Sequence, residues 1–319
     1  MSKIRIIPVT TRKGLRAFVN FYYELYKGNK FAVPFLRFDE MNTLSKHKNP
    51  AFEFCEAQYF LAVDSEARIV GRVAAIINRR ANDQWNKKQV RFGWFDFVDD
   101  LEVSQALLNA VEAWGRTKGM TECVGPLGFT DMDREGLLIE GFHHKSTMYI
   151  NYNYPYYKNH MEAMSFYEKD NDWLEYRIKV PEETPAKFAR TAEMIEKRYN
   201  LHVHKFTSRE LVKKGMGREV FHIVNETYKD LYDFQQLTDS QIDKYVNDYI
   251  KKADLNLVTG VVDGNDGNRL IGFGVSFPSF TDALQKIGNG KLLPWGWLKI
   301  LKVMKLHATD TVDLLLIGV

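Results

Sequence analysis

VDSEARIVGRVAA, residues 63–75, and VDGNDGNRLIGFGVS, residues 262–276, spell the same device twice. In each, two apolar, β-rich arms flank a polar turn, and in the second copy that turn carries Asn-Asp-Gly signals suited to a tight hairpin. Gly71 and Gly272 hold the same place, immediately after the apolar pairs Ile69-Val70 and Leu270-Ile271. An internal duplication explains this economically. The plainer alternative is that any two hairpins look alike.

Working outward, the order of elements around the two hairpins also matches. IRIIPV (4–9) reads as a strand, and the helix that follows places Leu15, Phe18, Val19, Tyr22 and Leu25 on one stripe. After the first hairpin come a strand at VRFGWFDFVDD (90–100) and a helix from Ser104 to Lys118, with Gly119 where a C-cap is wanted. In the second half LHVHKF (201–206) is a strand and SRELVKKGMGREVFHIVNETYKDL (208–231) a helix. Thr238 and Gln241 form a capping-box pattern for a further helix running to about Ala253. Thr184 and Pro185 open a connecting helix, with Thr184 as its N-cap. Strands interleaved with amphipathic helices give a mixed α/β (α+β) class. Residues 1–180 and 181–319 are the expected domains.

Composition bounds the function. With 45% hydrophobic and 27% charged residues in 319, the balance is that of a globular protein able to fill two cores. A net charge of +3, from 44 basic against 41 acidic residues, gives no footprint for nucleic acid. MSKIRIIPVT lacks the apolar centre of a signal peptide, and no apolar run nears the roughly 20 residues that span a bilayer. A cytoplasmic location is the expectation. Cys55 and Cys123 make neither a disulfide framework nor a metal-ligand spacing, so both are expected as reduced structural thiols with no metal bound.

NKFAVPFL (29–36), VGRVAAIIN (70–78), FGWFDF (92–97), GPLGFTDMDREGLLIEGF (125–142) and YNYPYYKNHMEAMSFYEK (152–169) carry a resemblance to a known family. Together with the strand, helix, hairpin, strand order they resemble the GCN5-related N-acetyltransferase (GNAT) family. Within it they are similar to a bacterial subgroup of tandem, N-acyltransferase-like proteins. The resemblance implies a tandem acyltransferase fold with acetyl-CoA or acyl-CoA as donor substrate. In that family the fourth strand runs into a Gly-rich loop of pattern Q/R-x-x-G-x-G/A, whose main-chain N–H groups and helix N-terminus hold the diphosphate.

In the first half the corresponding strand is followed by Asp99, Asp100, Leu101 and Glu102, with no glycine. Three carboxylates suit a helix N-terminus but repel a second anion. A degenerate coenzyme A site is therefore expected there. In the second half the corresponding strand is DLLLIGV (313–319), whose run of large aliphatics reads as a strand buried on both faces. The family pattern would continue into its loop at once, so a second copy incomplete beyond that strand is expected.

The resemblance also proposes roles. Ile317, Gly318 and Val319 take the place of the main chain that polarises the donor's carbonyl, although plain core strand is the ordinary reading. Asp96 alternates with Phe95 and Phe97 and so faces away from them, which makes it a candidate to line a substrate cavity. Tyr157 stands near where the family's acid tyrosine falls, while an aromatic-packed turn would account for NYNYPYY equally. Ser165-Phe166 departs from the usual Gly-Phe just beyond. Arg134 and Glu140 flank an apolar stretch and are candidate substrate contacts, with solvated strand ends as the alternative. The adjacent His143 and His144 read as a loop.

Residues 285–307 contain five lysines and no acid. Lys299, Lys302 and Lys305 share one side of a helix rich in large apolar residues. This insert, at residues 291–307, is compatible with peripheral contact at the inner membrane face, or with packing on its own domain with the lysines in water.

Two functions follow. One is acyl-CoA-dependent N-acyl transfer to a small-molecule or lipid amine, a long-chain amine included, through the second domain of the complete protein. The other is a non-catalytic protein that holds a ligand or partner. Homodimerisation through an exposed strand edge is a third reading.

Overall fold

The structure, a computed structural model, describes residues 4–213, 215–248 and 254–319. It divides into two compact units. One comprises the chain up to Asp172 together with Phe280–Ala308, the other Trp173–Ser279 with Thr309–Val319. The lysine-rich insert thus belongs to the first unit, although it is encoded between two strands of the second.

The first unit is built on a five-stranded sheet in sequence order: β1 (Arg5–Val9), β2 (Cys55–Val63), β3 (Ile69–Asn78), β4 (Gln89–Phe97) and β5 (Glu122–Val124). All pairings are antiparallel except β4 with β5. Helix α1 (Arg12–Leu25) starts where Thr11 Oγ accepts from the Gly14 N–H at 3.0 Å. It buries Phe18, Val19 and Tyr22 against Tyr59, Leu61, Ala74 and Ile76 on one sheet face. Strand alternation sends Phe60, Ala62, Val73, Ala75 and Ile77 to the opposite face. There α4 (Leu101–Thr117) covers them with Val103, Leu107, Leu108 and Val111. Short helices α2 (Arg37–Thr43) and α3 (Arg79–Gln84) fill the connections, and α5 (Tyr156–Ala163) follows a long irregular stretch.

The second unit carries a four-stranded antiparallel sheet: β6 (Leu201–Lys205), β7 (Val258–Asp263), β8 (Arg269–Pro278) and β9 (Val312–Gly318). Its helices are α6 (Ala186–Tyr199), α7 (Ser208–Lys213), α8 (Met216–Thr227) and α9 (Asp239–Asp248). Between β8 and β9 lie α10 (Thr281–Ile287) and α11 (Gly296–Leu306), the insert.

The duplication is visible in the strand register. Gly71 faces Ala62 and Gly272 faces Val261, and in both hairpins the pairing skips the preceding residue, Val70 in one and Ile271 in the other. A β-bulge therefore sits at matching positions, and each sheet carries a second one, which lies two residues further from the glycine in the second sheet than in the first. Arg72 pairs with Asp96 and Ala74 with Gly93, while Val275 pairs with Leu316 and Ser276 with Leu314. In each case the extra residue lies on the fourth strand of its sheet. Mixed α/β with a sheet of its own in each half is what the structure shows.

Several local expectations change. DLLLIGV does form a strand, but it is an edge strand with Leu314 77% and Ile317 72% exposed, so it is not buried on both faces. The helix expected over 208–231 breaks at Gly215, whose φ of +82° no β-carbon residue adopts cheaply, into α7 and α8. Pro185, not Thr184, holds the N-cap of α6, and no side chain caps it. The capping box stands: the Thr238 N–H donates to Gln241 Oε1 at 3.0 Å, and the Gln241 N–H to Thr238 Oγ1 at 3.3 Å. The expected end of that helix near Ala253 lies outside the described residues.

Gly93 shows how tightly β4 is covered. A β-carbon there would sit 2.4 Å from the Leu127 carbonyl oxygen, which is backbone and cannot swing away. Gly93→Ala is expected to lower the unfolding free energy by roughly 1–3 kcal/mol through overpacking. A urea midpoint equal to the parent's would show that the 125–129 loop is not held against β4.

Candidate active site

The bulge decides where the chemistry-bearing side chains of β4 point. Val90 and Phe92 face α4, and so do Phe95 and Phe97, because the extra residue resets the alternation at Trp94, whose φ is +45°. Asp96 is thereby turned to the α1 face. There the Arg72 Nε and Nη2 both approach Asp96 Oδ2 at 2.7 Å, and Arg72 Nη1 donates to the Phe18 carbonyl at 3.1 Å. Both residues are buried.

A chain of hydroxyls leads away from the carboxylate. Tyr26 OH donates to Asp96 Oδ1 at 3.2 Å. Tyr157 OH lies 3.1 Å from Tyr26 OH and accepts from the Phe97 N–H at 3.1 Å. Since a carboxylate only accepts, the Tyr26 proton goes to Asp96 and the Tyr157 proton to Tyr26, so every group in the chain is satisfied. Burial, followed by Tyr157 and Asp96, pushes the Tyr26 phenol far above its ordinary range. Burial and Asp96 do the same to Tyr157. Both phenols stay protonated as donors at neutral pH.

The structure thus brings two of the sequence candidates, Asp96 and Tyr157, into one network, joined by Tyr26. Tyr157 lies in the first turn of α5, is 0% exposed and has its ring against Phe97 at 4.2 Å. Tyr26 also reaches a cleft of about 340 Å³ lined by Tyr22, Tyr23, Asn29, Lys30 and Gln285 among others. The insert lines one side of this cleft with Gln285 and Gly288, and just beyond it the Gly290 carbonyl accepts from the Arg37 N–H at 2.9 Å.

Arg134 and Glu140 part company. Arg134 is turned inward, its Nη2 2.6 Å from Glu40 Oε1 and its guanidinium 3.2 Å from the Phe35 ring centre. Glu140 is exposed. Burial pushes the Glu40 carboxyl up, but the Arg134 and Arg72 guanidiniums and hydrogen bonds from Arg134 and Trp94 together hold it below its ordinary value. At the start of α4, Asp100 accepts from the Glu102 N–H at 2.9 Å as N-cap. Asp99 Oδ1 meets His160 Nε2 at 3.0 Å, and His160 Nδ1 meets Ser104 Oγ at 3.0 Å. The rings of His143 and His144 meet at a tilt, 4.2 Å apart and 43° between planes, and the described residues contain no group of three or more metal-ligating side chains. Both cysteines are free, and burial pushes each thiol up to about 12.

In the second unit, Ile317 presents its main chain outward from β9. Its N–H donates to Tyr228 OH at 3.2 Å, and its carbonyl accepts from the same hydroxyl at 3.0 Å. Gly318 pairs with Phe273, and a β-carbon on it would meet that ring at 2.8 Å. Val319 follows, largely exposed. Tyr26 and Tyr228 escape a sequence reading because each is the C-cap residue just past an amphipathic helix, where a tyrosine needs no special explanation; for Tyr26 the clustered FYYELYK was the one available signal.

No family model matches the chain. It is 27% identical over 314 residues to Protein YghO of Escherichia coli strain K12, spanning 97% of this chain and 76% of that protein. It is 26% identical over 322 residues to the bacterial ceramide synthase of Caulobacter vibrioides, spanning 99% and 80%. Among solved structures it is similar to a tandem GNAT protein from the clavulanic acid biosynthesis pathway, at 12% identity and TM-score 0.41 over 86% of this chain and 74% of that one. It is also similar to a GCN5-related N-acetyltransferase from Sphaerobacter thermophilus, at 11% identity and TM-score 0.40 over 85% and 71%.

Two outcomes are expected from these contacts. Arg72→Met leaves the Asp96 carboxylate buried without its cation and should cost about 3–5 kcal/mol of stability, whereas Arg72→Met with Asp96→Asn should cost less than the sum of the single changes. Additive losses in chemical denaturation would mean the two side chains do not interact. Because the folded value of Glu40 lies below its unfolded one, its ion pair stabilises fully above the ordinary carboxylate range and is lost as pH falls below that range and through the lower folded value. The stability gap between the parent and Glu40→Gln should therefore narrow on acidification; a gap constant with pH would refute the pairing. The chain's two sheets repeat the order of their first four strands and the bulge beside Gly71 and Gly272, so the mixed α/β fold is a tandem one.

Proposed function

We propose that the protein is an N-acyltransferase that moves an acyl group from a coenzyme A thioester to an amine, working through its second unit. The observation that carries this reading is the outward-facing main chain of Ile317 on a bulged fourth strand, with the Tyr228 hydroxyl within hydrogen-bond reach of both its N–H and its carbonyl. A fixed N–H of that kind stabilises charge developing on a carbonyl oxygen. Ile317, with Gly318 and Val319 beside it, is the stretch we assign to the thioester. The amine nitrogen attacks the thioester carbon, the C–S bond breaks, the departing thiolate takes a proton from the Tyr228 phenol, and the proton that the nitrogen sheds as the amide forms returns to the Tyr228 phenolate. A ceramide is an amide of a long-chain amine, so similarity along 99% of the chain to a bacterial ceramide synthase supports a long-chain amine as acceptor.

The first unit enters differently. Asp99, Asp100 and Glu102 crowd the start of α4 with negative charge that disfavours a diphosphate. Asp96 and Tyr157 remain candidates for chemistry only through Tyr26, the member of their chain that borders the cleft. The burial of the other two favours a second reading for this unit, a ligand-holding module without chemistry of its own.

The test is thiol release from acyl-CoA of several chain lengths in the presence of a long-chain 2-amino alcohol, with the amide identified by mass. Tyr228→Phe should lower kcat by roughly 10²-fold or more with KM little changed, the size general acid catalysis supplies. Absence of thiol release with every donor, or full activity of Tyr228→Phe, would overturn the assignment.

A further inference from the structure

The insert offers a surface that acyl transfer does not call for. α11 has Val303 as its one buried side chain among the described residues, and Lys299 Nζ turns back to the Lys286 carbonyl. Its outward side is formed by two adjoining rows at i, i+4 spacing, Trp297, Leu301 and Lys305 beside Leu298, Lys302 and Leu306. Trp297, Leu301, Lys302, Lys305 and Leu306 are exposed. Ahead of the helix, Leu293 is 77% and Trp295 70% exposed. The Trp297 indole N–H donates to the Pro294 carbonyl at 2.9 Å, which ties the turn to the first turn of the helix.

Charge separates the occupants of such a surface. An apolar strip alone would suit a protein groove. Here lysines interleave with the apolar side chains, and residues 285–307 contain no acid. No helix of the described residues is long and apolar enough to cross a membrane, so this one can lie only along a bilayer, not through it.

We propose that α11 and the turn at residues 293–295 dock on an anionic lipid surface, with Leu293, Trp295, Trp297 and Leu301 at the depth of the headgroups and Lys302 and Lys305 on lipid phosphates. Tryptophan favours that depth because its ring is apolar and its N–H is polar, and each lysine adds electrostatic attraction. This inference does not rest on the acyl-transfer reading.

Co-sedimentation of the full chain with phosphatidylcholine vesicles, with and without phosphatidylglycerol, tests it. Partitioning should be at least roughly tenfold stronger on the anionic vesicles and should weaken as salt is raised. Lys302→Glu with Lys305→Glu should abolish the preference, and Trp295→Ala with Leu301→Ala should lower binding to both vesicles. All four side chains are exposed, so melting temperatures should match the parent's. Equal weak binding of the parent to both vesicles would overturn the proposal, as would parent-like binding by both variants. It would also fall if light scattering showed a dimer dissolved by Trp295→Ala with Leu301→Ala while vesicle binding stayed constant, since the surface would then join two copies of the chain.

Discussion

One extra residue in β4 governs the first unit. Without the bulge at Trp94, strict alternation from Phe92 would place Asp96 on the α4 side, among Leu107, Val111 and their neighbours, where a carboxylate has no partner. With it, Asp96 meets Arg72, and an otherwise unfavourable charge becomes half of a hydrogen-bonded pair. The same residue shift keeps Phe92, Phe95 and Phe97 on one face, where they pack with α4. A single backbone irregularity thus settles both a polar and an apolar problem.

The polar interior that results is ordered by what each group is able to donate. Phe97 N–H, Tyr157, Tyr26 and Asp96 form a one-way sequence of donors, and Arg72 completes it from the other side. Such networks hold a unique arrangement because a partly satisfied one in a low-dielectric interior is costly. Glu40 follows the same rule on a neighbouring site, where Arg134 and Trp94 supply the donors that burial would otherwise deny it. Electrostatics in this unit therefore positions elements from distant parts of the chain, β3, β4, α1 and α5, against one another.

Much of this was legible in sequence and some of it was not, for identifiable reasons. The paired hairpins could be read because turn chemistry and alternation are local, and the positions of Gly71 and Gly272 carried through to the register. The orientation of Asp96 away from Phe95 and Phe97 was likewise local. The bulge was not legible, since Trp94 is an unusual residue for positive φ and nothing in FGWFDF marks it. Nor was the partnership of Arg134 with Glu40, which are 94 positions apart and meet only through the fold. The break between α7 and α8 could have been found at Gly215, but the apolar periodicity on either side concealed it. DLLLIGV read as buried because composition reports how apolar a strand is, and says nothing of whether it lies at an edge.

The insert carries a consequence for modularity. Residues 280–308 leave the second sheet after β8, complete the first unit and return to form β9. Gln285 and Gly288 line the cleft beside Tyr26, so a gene fragment ending at Asp172 would encode a first unit missing one wall of that cleft. The repeats can therefore have arisen by duplication and yet no longer be separable by a single cut. Whatever their separate ancestry, moving the first half alone would leave its unit incomplete, and moving the second half alone would carry off a piece of the first.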